Sequence, residues 1–319
     1  MQAIVTIENL TIAFTSMYGK NYAVRDLSLQ IPRAKTLGLV GESGCGKSVT
    51  AYSLLQLVPK PGVIEKGAIM YNTLNLLQCP DATLQSIRGK NISMIFQEPM
   101  TSLNPVFTIG YQVQEAVELH LHLQKAEAKD YTIALLGKAG IPSPSSRYYS
   151  YPHELSGGLR QRAMIAMALA AKPELLIADE PTTALDVTIQ SQILDLLLTL
   201  QKSQHMSMLL ITHDLGIVAN VADVIAIMYA GEIVEIAPTR EIFNNFLHPY
   251  TQGLMSCIPS LHKKTKRLAT IPGTVPIISK PPSGCVFFPR CYKGDNNCLH
   301  APVSLIQKKH NHLVRCIKA

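Results

Sequence analysis

The sequence predicts an α/β fold with a largely parallel sheet, and three observations support this class. Short apolar segments of strand length alternate with segments of helical periodicity along most of the chain. One apolar segment, 36–40, runs directly into a glycine-rich loop and then into a helical stretch. Prolines interrupt every regular pattern in the last part of the chain. We therefore expect a main domain over residues 1–255 and a small irregular unit over 256–319.

The individual elements follow from the spacing of apolar residues. Alternation of apolar and polar residues predicts strands at 4–7 and 28–31. Short, mainly apolar segments predict strands, in chain order, at 36–40, 174–179, 206–212, 224–228 and 232–236. Helical spacing predicts helices at 47–57, within 110–140, at 158–171 and at 188–201. No apolar run is long enough to span a membrane, and the first residues do not resemble a secretory signal, so we expect a cytoplasmic protein.

Composition excludes a disordered tail protein, since 47% of the residues are hydrophobic and only 16% are charged. The net charge of +7 is unevenly distributed along the chain. Residues 257–319 hold 11 lysines and arginines and a single acidic residue, Asp295. A basic end of this kind fits nucleic acid, an anionic membrane surface or an anionic cofactor.

Residues 41–48, with the sequence GESGCGKS, match the P-loop pattern between a buried strand and a helix. Glycines allow backbone N–H groups to converge on phosphate oxygens, and the helix N-terminus adds positive potential. Lys47 is expected to reach the β- and γ-phosphates, and the Ser48 hydroxyl to bind Mg²⁺. Cys45 is expected to be a small filler. The candidate nucleotide-binding residues are Gly41, Ser43, Gly44, Cys45, Gly46, Lys47, Ser48 and Val49.

A second half of the site is predicted where the apolar run 175–178 ends in two carboxylates, Asp179 and Glu180. Neighbouring residues of a strand point to opposite faces, so these two side chains are expected to have different roles. Asp179 suits the coordination shell of Mg²⁺. Glu180 suits the polarisation of a water that attacks the γ-phosphate.

Between these elements lies LSGGLRQR, residues 155–162, which resembles the signature loop of ATP-binding cassette (ABC) ATPases. Gln97 in IFQEP resembles the Q-loop of this family, the ALD stretch 184–186 its D-loop, and His213 in LLITHD its switch histidine. The resemblance covers residues 1 to about 250, with Leu159 standing where glutamine is commonest. It implies an ABC nucleotide-binding domain with a mixed sheet and a helical subdomain at about 98–165.

The resemblance also implies roles for these residues. Two such domains pair head to tail, so that each ATP lies between one P-loop and the other chain's signature residues. Gln97 would contribute to the Mg²⁺ site and His213 would hold the γ-phosphate and the attacking water. Tyr18 would stack on adenine, with Tyr22 as its competitor. The residues that would act across the dimer are Ser156, Gly157 and Gly158 of the signature loop and Asp186 of the D-loop.

The HPYT stretch at 248–251 and the PRC stretch at 289–291 resemble the C-terminal region of oligopeptide/dipeptide importer ATPases. This branch also includes nickel and antimicrobial-peptide importers, which are the alternative cargoes. The resemblance implies an ATPase at the cytoplasmic face of the membrane, paired with a second, related ATPase chain. Two membrane-spanning subunits would receive peptide from an extracytoplasmic binding protein, and no nucleic acid partner is expected. A non-transport ABC ATPase acting on nucleic acid is a further alternative.

Four cysteines, at spacing C-x5-C-x6-C-x17-C, lie close to the C-terminus: Cys285, Cys291, Cys298 and Cys316. Structural zinc sites usually contain tighter cysteine pairs, so this spacing favours a [4Fe–4S] cluster. Zinc and four metal-free thiols are the alternatives. The basic residues around them would offset the negative charge of a cluster.

Overall fold

The computed structural model of the protein describes residues 2–17, 19–98, 102–183, 185–257 and 270–319. The chain divides into two compact units, each built from more than one segment. The first unit comprises Met1–Pro32, Thr36–Gln78 and Leu210–Ala319. The second comprises Arg33–Lys35 and Cys79–Leu209. The C-terminal residues thus group with the first unit, and a boundary near residue 255 stays a prediction from sequence.

An antiparallel sheet in the first unit is ordered β2-β1-β4-β5. Its strands are β1 (Ala3–Ser16), β2 (Gly19–Pro32), β4 (Gly62–Tyr71) and β5 (Leu74–Asn75). In the register, Ile7 lies opposite Leu29 of β2 and Ile69 of β4. Alternating residues of β2 are buried, as the sequence pattern requires of a strand with one face on the core. β1 and β2 extend well beyond the short alternating segments because bulges break the alternation along them.

A second sheet contributes five strands to the first unit: β3 (Thr36–Val40), β9 (Val224–Tyr229), β10 (Glu232–Pro238), β11 (Ile306–Lys309) and β12 (His312–Val314). β3 pairs with β9 in parallel, whereas β9–β10, β10–β12 and β12–β11 are antiparallel. The sheet is therefore mixed. Every residue of β3 is buried, which explains its uninterrupted apolar sequence.

Short helices complete the first unit: α1 (Lys47–Leu54), α8 (Leu215–Val221), α9 (Thr239–Asn244), α10 (Pro249–Ser256) and α11 (Asn296–His300). Gly38 of β3 lies directly under α8, because a Cβ there would come within 2.9 Å of the Val218 side chain. The C-terminal region also contains a 3₁₀ turn at Phe288–Arg290. The hairpin β11–β12 joins this region to β10 by strand pairing.

The second unit is mainly helical, and its helices are α2 (Asp81–Ile87), α3 (Ile109–Leu121), α4 (Lys125–Lys138), α5 (Pro144–Arg147), α6 (Gly157–Ala168) and α7 (Val187–Ser203). Helix α3 packs against α4 and α6. Two buried strands, β6 (Ile92–Ile95) and β7 (Leu175–Asp179), pair in parallel. The chain passes back to the first unit through β8 (Ser207–Thr212).

Serine, threonine and aspartate side chains start three of the helices of the second unit. Thr108, Ser156 and Asp186 each accept a hydrogen bond from a backbone N–H in the first turn of α3, α6 and α7. Among the helices of the described residues, none has the length and the apolar character needed to cross a membrane.

Candidate nucleotide-binding site

The P-loop connects β3 to α1 in a conformation that only glycine can adopt at its key positions. Gly44 and Gly46 have φ angles of +77° and +108°. A Cβ at Gly46 would lie 2.3 Å from the carbonyl oxygen of Ala23, and one at Gly41 only 2.2 Å from that of Met228. The backbone of β2 and β9 therefore presses against the loop. Any side chain at these positions would displace the loop from the start of α1.

Lys47 begins α1 and folds back over the loop. Its Nζ donates to the carbonyl oxygens of Gly41 (2.8 Å) and Glu42 (3.0 Å), and the residue is only 5% exposed. Ser43 and Gly44 are exposed at the tip of the loop, while Ser48 and Val49 are half-buried in the first turn of α1. The ammonium group is thus held over the loop, at the positively polarised end of a helix.

The side chain of Cys45 is fully buried, and its part as a small filler of the loop stays a prediction. Burial raises the pKa of the thiol, which therefore stays protonated near neutral pH. Its carbonyl oxygen accepts a hydrogen bond from Gly231 N at 2.9 Å, which anchors the loop to the β9–β10 turn.

In the second unit the structure brings together two predicted catalytic residues that are far apart in sequence. Gln97 Nε2 donates to Glu180 Oε2 at 3.2 Å, and Thr183 Oγ1 donates to the same oxygen at 2.9 Å. Glu180 follows β7 with a φ of +45°, a left-handed conformation that is uncommon for a residue with a side chain. Asp179, the last residue of β7, is fully buried. The two neighbouring carboxylates therefore have different environments, and their different roles stay a prediction.

The signature residues lie at the start of α6. Ser156 is its N-cap, with Oγ accepting from Leu159 N at 3.4 Å. Ser156 and Gly157 are exposed and Gly158 is half-buried, so the unpaired N–H groups of the first turn face outwards. A Cβ at Gly158 would approach Ile189 of α7 to 2.9 Å. Leucine at 159 leaves the cap in place, because only its backbone takes part.

The remaining predicted residues are Asp186, His213 and the two tyrosines. Asp186 is exposed. It is the N-cap of α7, where its Oδ1 accepts a hydrogen bond from Ile189 N at 3.0 Å. His213 is exposed in the first unit, in the turn between β8 and α8. Tyr18 lies outside the described residues. Tyr22 is half-buried in β2, and its backbone N–H donates to Ile278 O at 2.8 Å. The choice between the two tyrosines at adenine stays a prediction.

The prediction of an iron–sulfur cluster, with zinc as its alternative, is wrong. Within the described residues, no group of three or more histidine, cysteine, aspartate or glutamate side chains is arranged to hold a metal ion. The cysteines named for the cluster do converge, lining one cavity of about 10 Å³, which is the size of a single water site and too small for a cluster. The four lining cysteines are Cys285, Cys291, Cys298 and Cys316.

Burial raises the pKa of Cys285 to about 11, and it also raises the pKa values of Cys291 and Cys316. Burial therefore favours the protonated form of these three thiols. Packing and backbone hydrogen bonds hold the region instead, including Cys285 N to Cys298 O at 2.7 Å.

One contact to the P-loop was not predicted from the sequence. Arg290 of the C-terminal region forms an ion pair with Glu42 inside the P-loop, with an Nη1–Oε1 distance of 3.0 Å. Tyr250 supplies a second link, since Glu42 N donates to its hydroxyl oxygen at 3.0 Å. The only sign of this contact in the sequence was indirect: Tyr250 belongs to the HPYT stretch and Arg290 to the PRC stretch.

The comparisons with known proteins agree with this geometry. Residues 24–183 match the family described as ABC transporter, and residues 234–298 match that described as oligopeptide/dipeptide transporter, C-terminal region. The structure is similar to the dimeric structure of MJ0796, a bacterial ABC transporter cassette, with a TM-score of 0.67 and 25% identity. That match covers 74% of this chain and 99% of the cassette.

Two curated relatives from Bacillus subtilis extend the likeness over the C-terminal region. The dipeptide transport ATP-binding protein DppD is 44% identical over 317 residues, covering 99% of this chain and 95% of DppD. The oligopeptide transport ATP-binding protein OppD is 48% identical over 286 residues, covering 89% and 80%. This chain belongs to the ABC transporter family, as an ATP-binding subunit of its oligopeptide/dipeptide importer branch. The predicted fold class, a P-loop ABC ATPase with a mixed sheet, is confirmed.

Proposed function

We propose that this chain hydrolyses ATP to power the uptake of di- and oligopeptides through two separate membrane-spanning subunits. One observation carries the proposal: an intact P-loop belongs to the same compact unit as a C-terminal region of the oligopeptide/dipeptide transporter type. The names of the relatives DppD and OppD support this class of cargo. The protein works at the cytoplasmic face of the membrane. Its partners are a second, related ATPase chain, the two membrane subunits and, indirectly, an extracytoplasmic peptide-binding protein.

Nucleotide binding follows from the loop geometry. The backbone N–H groups of the loop and the first turn of α1 receive the phosphates, and Lys47 Nζ moves from carbonyl oxygens to phosphate oxygens at short range. Ser48, Asp179 and Gln97 offer a hydroxyl, a carboxylate and an amide oxygen, an all-oxygen set that suits Mg²⁺. When bound, Mg²⁺ neutralises charge on the β- and γ-phosphates.

Hydrolysis depends on Glu180. Its carboxylate accepts hydrogen bonds from Gln97 and Thr183 on one oxygen, which fixes the orientation of the group. The carboxylate polarises the attacking water and takes up its proton as the water oxygen bonds to the γ-phosphorus, while the bond from that phosphorus to the β–γ bridging oxygen breaks and ADP leaves. His213 holds the γ-phosphate and this water. Positioning and electrostatics supply most of the acceleration, as in other phosphoryl transfers.

Pairing of two chains completes each site. The outward-facing N–H groups at Gly157 and Gly158, together with the Ser156 hydroxyl, bind the γ-phosphate held by the partner chain. Asp186 lies at the start of α7 and positions the opposing site. ATP binding thereby closes the dimer, and hydrolysis reopens it.

Uptake of a radiolabelled dipeptide by cells that lack the gene tests the cargo. We expect uptake to be lost in the deletion strain and restored by the wild-type gene, but not by Lys47→Ala. Uptake of radiolabelled nickel serves as the parallel measurement. Unchanged peptide uptake in the deletion strain, or a loss confined to nickel, would contradict the proposed cargo.

A further inference from the structure

Glu42 places a carboxylate inside a loop that binds an anionic ligand. It lies between Gly41 and the exposed Ser43, and its side chain is 29% exposed. An unbalanced negative charge at this position repels a polyphosphate, because charges within about 10 Å interact appreciably even when partly screened. A cation that pairs with Glu42 would be required to remove that repulsion.

Arg290 meets that requirement from the C-terminal region. Its Nη1 lies 3.0 and 3.2 Å from the two carboxylate oxygens of Glu42, and its Nη2 lies 3.2 Å from Oε2. The Arg290 side chain is only 6% exposed, so the pair is largely shielded from solvent. A planar guanidinium that contacts both carboxylate oxygens fixes orientation as well as charge.

The guanidinium is itself held by its surroundings. Nε donates to Pro272 O at 2.7 Å, and Nη2 donates to the carbonyl oxygens of Ile271 (3.3 Å) and Gly273 (3.2 Å). The group also lies over the ring of Tyr229, 5.7 Å from its centroid. Contacts other than those with Glu42 therefore also hold the Arg290 guanidinium in place.

The backbone of Glu42 is fixed as well. Its N–H donates to the Tyr250 hydroxyl, and its carbonyl oxygen accepts from Lys47 Nζ and from Cys45 N. Tyr250 is fully buried and packs against Tyr229 and Phe287, with ring centroids 4.7 and 5.3 Å away. The C-terminal region thus holds both the backbone and the carboxylate of this P-loop residue.

We infer that Arg290 is a positioning residue for nucleotide binding, which neutralises Glu42 and turns its carboxylate away from the phosphates. The inference rests on the P-loop as the nucleotide site proposed above. It gives the C-terminal region a role in ATP affinity that is separate from any contact with transported peptide.

Calorimetric titration of the purified full-length chain with ADP and with a slowly hydrolysed ATP analogue, in Mg²⁺ buffer, tests this. Arg290→Gln leaves Glu42 uncompensated, so we expect about tenfold weaker binding of the ATP analogue and a smaller loss for ADP. High salt should reduce that loss, since the repulsion is electrostatic. Glu42→Gln in the Arg290→Gln background removes the charge and should restore affinity to within about threefold of wild type.

Arg315→Gln is the matched control. Arg315 also belongs to the C-terminal region, where its guanidinium donates to the carbonyl oxygens of Ile233 and Val303, both at 3.1 Å. Its loss should lower the melting temperature and leave nucleotide affinity near that of wild type. All titrations are made below the melting transition of every variant.

Two outcomes would overturn the inference. One is wild-type affinity in Arg290→Gln, and the other is a loss that Glu42→Gln fails to rescue, as expected if Arg290 only stabilises the C-terminal fold. Failure of the wild-type chain to bind either nucleotide would instead refute the proposed function. The two failures are therefore distinguishable.

Discussion

Glu180 combines an uncommon backbone conformation with a carboxylate held by two donors. The left-handed φ of +45° turns the chain sharply after β7, so that this side chain departs from the buried direction of Asp179. Such conformations cost free energy and persist where the surroundings fix them, often at functional sites. The hydrogen bonds from Gln97 and Thr183 supply part of that support.

The Thr183 hydroxyl gives a prediction at this scale. Thr183→Val removes the 2.9 Å hydrogen bond to Glu180 while keeping the shape of the side chain. We expect kcat for ATP hydrolysis to fall by roughly three- to tenfold, because the Glu180 carboxylate loses a group that orients it. KM should stay nearly unchanged, because nucleotide binding does not use this hydrogen bond. Thr183→Ser keeps the hydroxyl and is the control. Equal kcat values for the valine variant and the wild type would show that Thr183 does not orient Glu180.

At the scale of single elements, the N-terminus of helix α10 is capped by a histidine side chain that must stay neutral. His248 is its N-cap, with Nδ1 accepting from Tyr250 N at 3.0 Å, and burial lowers its pKa to about 3. The unfolded chain takes up this proton near pH 6.5, whereas the folded chain resists it down to about pH 3. Stability should therefore fall between these pH values, by about 1.4 kcal/mol per pH unit from this group.

His248→Asn keeps an N-cap acceptor without a titrating ring. We expect the melting temperature of this variant to depend less on pH between 6.5 and 4 than that of the wild type. His205→Asn, which changes an exposed histidine outside the C-terminal region, is the control. If the melting temperatures of wild type and His248→Asn depended on pH in the same way, His248 would not be the source of the pH dependence.

A buried side-chain hydrogen bond joins β12 to β10. His312 Nε2 lies 2.7 Å from Glu235 Oε1, and both side chains are fully buried. Removing the imidazole takes away this hydrogen bond but leaves those that Leu247 N and His248 N donate to Glu235, so we expect His312→Ala to lower the free energy of unfolding by about 1–3 kcal/mol. Urea denaturation measures this loss. The exposed His310 of the same hairpin is the control, and a loss as large for His310→Ala would contradict the account.

What the sequence predicts well is local. The P-loop is recognisable because strand, loop and helix follow one another within a dozen or so residues, and each step has its own residue types. The Arg290–Glu42 pair joins residues 248 positions apart, so no local sequence pattern predicts it. β11 was missed for a physical reason: all four of its residues are exposed, so it carries no apolar alternation.

The cysteines show a second limit. Their clustering in the sequence correctly suggests that Cys285, Cys298 and Cys316 lie together, and the structure places them around one cavity. Spacing along the chain does not specify the directions of side chains or the protonation of thiols. Within the described residues the structure shows no group of side chains arranged to hold a metal ion, and the spacing could not reveal this.

In the molecule as a whole, the predicted functional residues are distributed over the two compact units. The first unit contains the P-loop, His213 and the C-terminal region, and the second contains Gln97, Glu180 and the signature residues. The P-loop and the peptide-importer region therefore belong to the same compact unit. Glu180, the proposed base, and the signature residues, which are proposed to serve a partner chain, belong to the other.

Steady-state ATP hydrolysis by the purified chain, compared with Glu180→Gln, tests the central claim most directly. The wild type should hydrolyse ATP in the presence of Mg²⁺, and the variant should bind ATP with similar affinity but turn it over at least about a hundredfold more slowly. Glutamine keeps the size of the side chain and removes its basicity. A variant that hydrolyses ATP at the wild-type rate would contradict the assignment of Glu180 as the base, and with it the catalytic account given above.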